Sequence, residues 1–298
     1  MNVLLLGKDG QVGRELCRVL LPLGHLTALG RAELDLMDLR ALKLRLEHVK
    51  PQLIVNAAAY TAVDKAETDK TTAYQINELV VAILADFARQ QDVILIHYST
   101  DYVFDGAKQG AYLETDTANP LNIYGASKLA GEQAILRSDC RGYIFRTSWV
   151  YSSHGHNFIK TILNLAKKSD SLSIVNDQHG APTSAELISD VTLLAIMAIA
   201  HDRLSPGIYH LTASGMTTWY DLACYILNLS LIQGIDFKLE PSKIHPTLSE
   251  AYPLPAARTK NSVLDNRLLS SNLNIVLPEW AIYVERMITQ LRQISFLA

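Results

Sequence analysis

Four apolar residues, Val3-Leu4-Leu5-Leu6, run directly into Gly7-Lys8-Asp9-Gly10-Gln11-Val12-Gly13, and this junction constrains the fold more than any other stretch of the chain. A continuous apolar run that stops at glycine is the signature of a strand buried on both faces, as in a parallel sheet. The G-x-x-G-x-x-G spacing lets the backbone turn tightly and opens a helix expected over 11–21. The N-terminus of that helix would offer free N–H groups and a positive partial charge to a pyrophosphate. Three turn glycines also occur without any ligand. Their place at the first strand–helix junction favours the phosphate-loop reading.

The pattern repeats downstream. Strands are expected at 26–29, 53–57, 93–100 and 143–146, with helices at 39–49, 73–90 and 126–136 between them. Such alternation predicts an α/β fold, a Rossmann-like doubly wound parallel sheet covered on both faces. After about residue 150 the rhythm changes: helices are expected at 158–168, 184–200, 218–228 and 278–293, with a short strand-like piece at 208–211. Prolines 241, 246, 253 and 255 predict mostly loop between 239 and 256. The expected organisation is a dinucleotide-binding domain over 1–150 and a smaller, mostly helical C-terminal substrate-binding region over 151–298. Some exchange of chain between the two is expected.

Composition narrows the function classes. Of 298 residues, 49% are hydrophobic and 19% charged, which excludes a disordered chain, a collagen-like fibre or a disulfide-stapled mini-protein. A net charge of −3 gives no general drive toward nucleic acid or acidic membrane. Cys17, Cys140 and Cys224 are widely spaced, with no metal-ligand pattern, and read as small buried hydrophobes in a reducing compartment. The N-terminal run is too short for a signal peptide, and the longest later apolar stretch, 191–200, is about half a membrane span. A cytoplasmic protein is expected.

Two further features carry chemistry. NAD-selective sites place a carboxylate after the second strand to bind the ribose 2′-hydroxyl; here Leu29 is followed by Gly30-Arg31, with no acid before Glu33. Arg31 either pairs with a 2′-phosphate, which leans the choice toward NADPH over NADH, or is a solvated turn residue. Asp35, farther on, is a candidate neighbour of the adenine. Tyr124 and Lys128 stand four residues apart, on one face of a helix. An ammonium there would lower the phenol's pKa and hydrogen-bond a ribose hydroxyl. The strand from Val93 ends in Ser99-Thr100 at the sheet edge where ligands bind, and Thr100 would complete the set by bonding a substrate oxygen.

A phosphate loop, a strand ending in threonine and Y-x-x-x-K together resemble the extended short-chain dehydrogenase/reductase family over essentially the whole chain. Asn56-Ala57-Ala58-Ala59 fits it as well. The words at 7–13, 55–64, 99–104, 146–151, 180–183 and 255–258 are similar to those of one group within it, the dTDP-4-dehydrorhamnose reductases. That resemblance implies reduction of the 4-keto group of dTDP-4-dehydro-L-rhamnose with NAD(P)H. Tyr124 would donate the proton, Lys128 would tune it and hold the nicotinamide ribose, and Thr100 would bond at the reacting centre. Gly7, Gly10, Gln11, Val12 and Gly13 would lie against the pyrophosphate, Asp35 and Leu36 near the adenine. Ala57, Ala58, Ala59, Tyr60, Thr61 and Ser99 would line the cofactor, and Asp101, Trp149 and Arg258 the sugar nucleotide. For Trp149 the plainer alternative is a core aromatic; for Arg258, a solvated loop arginine.

Related sugar-nucleotide dehydratases need an Asp-Glu pair after the threonine, whereas Thr100 is followed here by Asp101-Tyr102. This favours simple reduction, with a 4-epimerase or another sugar-nucleotide reductase as alternatives. A non-catalytic regulatory subunit resembling that of methionine adenosyltransferase is the alternative outside enzymes, and retention of Thr100, Tyr124 and Lys128 argues against it. Some reductases of the group form homodimers around a magnesium ion held by glutamates. Glu15 and Glu186 match two of those places, but the third is Gln290, so Mg²⁺ is expected to be structural at most and absent from the chemistry.

Overall fold

The computed structural model describes residues 1–293; the last five residues of the expected C-terminal region lie outside the described residues. The strands are β1 (Asn2–Leu6), β2 (His25–Leu29), β3 (Leu53–Asn56), β4 (Ile94–Thr100), β5 (Gly142–Thr147), β6 (Val150–Tyr151), β7 (Leu172–Val175), β8 (His179–Gly180), β9 (Thr183–Ser184), β10 (Gly207–His210), β11 (Thr217–Thr218) and β12 (Ile244–Thr247). The α-helices are α1 (Gln11–Val19), α2 (Leu39–Val49), α3 (Val63–Ala66), α4 (Lys70–Tyr74), α5 (Val80–Gln91), α6 (Ile123–Ser138), α7 (Phe158–Ala166), α8 (Ala185–Ile199), α9 (Trp219–Ile232), α10 (Arg267–Leu273) and α11 (Trp280–Gln293).

Six strands form one sheet in the order β10-β5-β4-β3-β1-β2, every neighbouring pair parallel. This is the doubly wound sheet that the alternation predicts. Side chains alternate across it. Val3, Leu5, Val55 and Ile96 face one way into a core shared with α1 and α8, while Leu4, Leu6, Ile54 and Leu95 face the other way, against α2 and α5. Because helices cover both faces, successive strand residues are all apolar and the sequence shows runs rather than alternation.

Residues after 150 divide between two bodies. β10 extends the main sheet beside β5, and α8 covers the same face as α1. By contrast α7, α9 and α11 enclose a second core built on Ile159, Leu163, Ile226, Leu227 and Ile288. The stretch 239–256 is largely irregular but includes β12, which pairs in parallel with β7 in a two-stranded sheet, where Pro246 is tolerated at an edge.

The single helix expected over 73–90 is interrupted. Residues Gln75–Leu79 form a π-helical turn between α4 and α5, and Asn77 in that turn is 1% exposed. A π turn inserts one extra residue and redirects a side chain that an uninterrupted helix would aim elsewhere. Gly131 on α6 makes room for it: a Cβ there would lie 2.1 Å from the Asn77 carbonyl oxygen.

Candidate active site

The C-terminal ends of β1, β2 and β3 open into a cleft of about 550 Å³. Gly7 stands at its floor with φ of 84°, and a Cβ there would lie 2.6 Å from the Ala58 amide nitrogen. Gly13 permits the next close approach, its would-be Cβ falling 2.0 Å from the Gly7 carbonyl oxygen. Gly10 caps α1 without a side-chain bond, so the leading amides of the helix are available to an anion. Arg31, Asp35, Leu36, Ala57, Ala58, Ala59, Tyr60 and Thr61 also line this cleft.

The rest of the loop faces other work. Gln11 Oε1 accepts hydrogen bonds from Asn157 Nδ2 at 2.9 Å and Ser152 Oγ at 3.4 Å, which ties the start of α1 to the segment after β6. Val12 packs against the core beside α8, and Gly13 is buried. Glu33, the first acid after β2, accepts from the Gly30 amide at 2.8 Å and pairs with Lys8 at 2.7 Å. Its charge is therefore balanced locally, and Arg31 is an exposed cation lining the cleft.

The second cluster lies where β4 meets α6. The Asn122 side chain caps α6 by accepting from Gly125 N at 2.8 Å, and it donates to the Ala257 carbonyl at 2.9 Å. Glu67 accepts the neighbouring Ile123 amide at 2.9 Å, so two donors that a helix start leaves open are satisfied. Tyr124 follows at once, its ring edge-on to Tyr102 with centroids 5.7 Å apart. Burial pushes the Tyr124 phenol up to about 12, although the Thr100 hydroxyl draws it down. The direction is opposite to the sequence expectation of a lysine-lowered phenol, because desolvation dominates and the neighbouring Asp101 charge adds to it. Thr100 donates to Asp101 Oδ1 at 2.9 Å and accepts from Tyr102 N at 3.2 Å. Asp101 is itself buried and pushed up to about 6 by desolvation, against the pull of the Ser262 and Thr100 hydroxyls. Ser99 Oγ is buried with no hydrogen-bond partner among the described residues.

Lys128 is buried beneath Tyr124. Its Nζ donates to the Tyr98 carbonyl at 2.5 Å and stands 3.2 Å from His97 Nε2, and burial pulls it down to about 8. Behind it Glu132 receives Arg146 in a two-pronged pair at 2.9 and 2.6 Å, both side chains almost fully buried. Asn77 connects the cleft to α6. It accepts from Tyr60 N at 2.9 Å and donates to Tyr60 O at 3.1 Å and Ser127 Oγ at 2.9 Å. Sequence reasoning named neither His97 nor Asn77 as functional. Buried polar residues inside an apolar strand and a helical pattern were the available signal.

The expected substrate residues are held by partners far away in the chain. Trp149 adopts a left-handed φ of 47° and stacks on Trp219, centroids 3.5 Å apart and planes 8° from parallel. Gly180 is needed beneath it, since a Cβ there would lie 2.5 Å from the indole. Arg258 is not a solvated loop residue. It donates to Asp64 Oδ2 at 2.7 Å and to the Ala256 carbonyl at 3.0 Å, and lies over the Tyr102 ring. The pairings with Trp219 and Asp64 were not legible in the sequence, for the partners lie about 70 and nearly 200 positions away.

The two glutamates considered for a structural magnesium both stand beside arginines. Glu186 is engaged by Arg286 at 2.6 and 3.2 Å, Glu15 stands 3.6 Å from Arg18, and Gln290 brings no carboxylate. Among the described residues no group of three or more His, Cys, Asp or Glu side chains could hold a metal. No described helix is long and apolar enough to cross a membrane. A nicotinamide dinucleotide, by contrast, fits: the glycine floor that a Cβ would fill, the open start of α1 and the orphaned Ser99 hydroxyl all suit it.

A parallel sheet with a phosphate loop, joined to a Thr-Tyr-Lys cluster, defines the short-chain dehydrogenase/reductase class. Comparison with known proteins narrows it further. Residues 1–293 match the RmlD substrate binding domain family. The dTDP-4-dehydrorhamnose reductase of Escherichia coli (strain K12) is 45% identical over 295 residues, covering 98% of each chain, and that of Shigella flexneri 44% with the same coverage. Among solved structures, a dTDP-4-dehydrorhamnose reductase from Clostridium acetobutylicum superposes with a TM-score of 0.89 at 35% identity, covering 98% of this chain and 100% of that one. The Bacillus anthracis enzyme, solved in complex with NADP, gives 0.86 at 31%, covering 97% and 98%. A UDP-glucose 4-epimerase from Thermus thermophilus, 18% identical, shares the fold alone. The chain belongs to the dTDP-4-dehydrorhamnose reductase family.

Proposed function

We propose that this protein reduces the 4-keto group of dTDP-4-dehydro-L-rhamnose to give dTDP-L-rhamnose, using NADPH in preference to NADH. The observation that carries the reading is the Thr100–Tyr124–Lys128 cluster, joined through Asn77 to a glycine-floored dinucleotide cleft in a chain of this family. When bound, the nicotinamide supplies a hydride to the carbonyl carbon.

The chain's own residues supply position and the proton. The amides at the start of α1 take the pyrophosphate, with Gly7 and Gly13 allowing its close approach. Asp35 and Leu36 border the adenine, and Arg31 receives the 2′-phosphate. At neutral pH a phenol held up to about 12 carries its proton, so Tyr124 is an acid ready to donate to the C4 oxygen. The Thr100 hydroxyl, turning its one proton from Asp101 to the same oxygen, stabilises charge as it develops there. The Lys128 ammonium holds the ribose and stabilises the phenolate left behind. Residues 1–150 bind the cofactor and bring Thr100 and Tyr124 to the reacting carbonyl, and the region over 151–298 binds the sugar nucleotide through Arg258, with Trp149 at the junction. For Arg258 to reach the diphosphate it must share its guanidinium with Asp64.

The test is oxidation of NADPH by purified protein, followed at the nicotinamide's near-ultraviolet absorbance with dTDP-4-dehydro-L-rhamnose supplied, then repeated with NADH and without sugar nucleotide. Sugar-dependent oxidation is expected, faster with NADPH. Folded protein that binds either cofactor and oxidises neither would leave a non-catalytic binding role instead.

A further inference from the structure

We propose that His97 is a positioning residue that sets the charge of Lys128, through a hydrogen-bond chain whose polarity begins at the Ala58 backbone. The inference rests on the reading of Lys128 given above. Asn56 closes β3 and lies directly across from His97 in the register of β3 with β4. All three side chains, Asn56, His97 and Lys128, are at most 2% exposed, so water cannot rearrange the bonds between them.

The polarity follows from donor and acceptor inventory. The Ala58 amide donates to Asn56 Oδ1 at 3.2 Å, which fixes the orientation of that carboxamide. Its Nδ2 therefore faces His97 Nδ1, 3.1 Å away. An N–H₂ donor there requires a lone pair on Nδ1, so the neutral imidazole carries its proton on Nε2. Burial keeps the ring neutral by pulling its pKa down, and the Lys128 charge adds to that effect. The Nε2–H then points at Lys128 Nζ, 3.2 Å away, while Nζ donates to the Tyr98 carbonyl. An amine can accept from Nε2–H and donate to the carbonyl; an ammonium has no lone pair and would meet His97 donor against donor. The chain is polarised against the charged form.

The other groups facing Lys128 do not cancel this. Glu132, one turn along α6, favours the ammonium, but its carboxylate is already taken by Arg146 from β5. Tyr124 on the preceding turn is neutral at pH 7, and the carboxylate of Asp101 lies against Thr100. Burial, with this polarity added to it, holds Lys128 close to its titration point, whereas an ordinary lysine is charged across the whole working range. The ammonium that would hold the ribose is lost in mildly alkaline solution.

NADPH affinity, read by quenching of tryptophan fluorescence from pH 6 to 10, tests this together with the imidazole ¹⁵N spectrum. Affinity of the wild type is expected to fall through an ionisation near 8, and Lys128→Met to bind weakly with no such fall. His97→Gln offers a carbonyl oxygen to Nζ and should move the fall upward by about one pH unit. The ¹⁵N spectrum should show His97 with its proton on Nε2. Asn56→Asp, nearly unchanged in shape, accepts from both Ala58 and Nδ1, so it should turn the tautomer round and also move the fall upward. A proton on Nδ1 in the wild type, no ionisation between pH 7 and 9, or an unmoved fall in folded His97→Gln would each overturn the proposal. If both variants fail to fold, the wild-type tautomer decides. None of these readouts uses the sugar substrate, so failure of the proposed reduction would show separately, as missing turnover.

Discussion

At the nucleotide end of the cleft, the groups placed to meet a ligand are backbone amides and small side chains: Gly7, Gly10, the Ala57–Ala59 run and the start of α1. At the catalytic end they are ionisable side chains, buried Asp101 and Lys128 and half-buried Tyr124, each displaced from its usual titration range by desolvation. A site made of backbone tolerates changes of charge and fails when volume is added. A site made of buried acids and bases keeps its shape under isosteric change and fails in its chemistry. The two ends can therefore be separated by substitution, and each of the following changes is directed at one side of that contrast.

Tyr124→Phe should have the largest effect, a fall in sugar-dependent turnover of about 10³-fold, within the range for loss of a general acid. Affinity for NADPH should change by less than about threefold, since the phenol's role is proton transfer. Kinetics and equilibrium binding measured on the same preparation check this, and turnover near wild type would remove Tyr124 as the proton donor. Such a result would also erase the contrast, by making the catalytic end a matter of shape alone.

Asp101→Asn acts at the same end but should raise stability. Asp101 has a folded-state value of about 6, above the ordinary carboxylate's 3.8. The folded state therefore binds the proton more tightly than the unfolded chain. Its contribution to stability is full below about pH 4 and is lost as pH rises through 6. Replacing it with a neutral amide should gain up to about 3 kcal/mol at pH 7 and little at pH 4. Chemical denaturation at the two pH values checks the sign, and a variant less stable than wild type at pH 7 would show the carboxylate to be better satisfied than its burial implies.

At the nucleotide end, Gly13→Ala places a methyl 2.0 Å from the Gly7 carbonyl oxygen. Backbone must move to admit it, at a cost of about 2 kcal/mol. The displaced loop should weaken NADPH binding and leave the pH dependence of the remaining turnover unchanged. A shifted pH profile would mean that the two ends are not separable after all.

The two ends also differed in how far the sequence disclosed them. A phosphate loop is local: three glycines at fixed spacing after an apolar run state the turn, the close approach and the helix start within seven residues. The strand–helix alternation disclosed the sheet for the same reason, because each strand's burial is written in its own residues. Tyr124 and Lys128 were legible through their helical spacing, but their ionisation was not. The phenol's rise reflects burial under segments that the spacing does not mention, and it reversed the expected direction. Asn77 reaches Tyr60 and Ser127 only because a π turn interrupts the helix, which no periodicity announced. Trp219 under Trp149, Asp64 on Arg258 and Arg286 on Glu186 are contacts over about 70 to nearly 200 positions, set by the packing of the second core and of the loop at 255–258.

The smallest expected effect belongs to Arg31, and it tests the nucleotide end where charge rather than volume is at stake. Arg31 is exposed, so its attraction for a 2′-phosphate is screened by water and salt, unlike the buried interactions at Lys128. The nearest acid after β2, Glu33, is already balanced by Lys8 and the Gly30 amide, so it neither repels the phosphate strongly nor replaces a ribose-binding carboxylate. Arg31→Ala should therefore lower the ratio of NADPH to NADH efficiency by about tenfold at low salt, and by less as ionic strength rises, because one exposed guanidinium–phosphate pair is lost. Turnover at saturating cofactor should be unchanged, as Arg31 lies outside the Tyr124 cluster. An unchanged ratio at low salt would return Arg31 to the solvated turn and transfer cofactor choice to the backbone. A changed ratio accompanied by loss of saturated turnover would couple the two ends through the cofactor itself, which is the outcome that Tyr124→Phe alone cannot reveal.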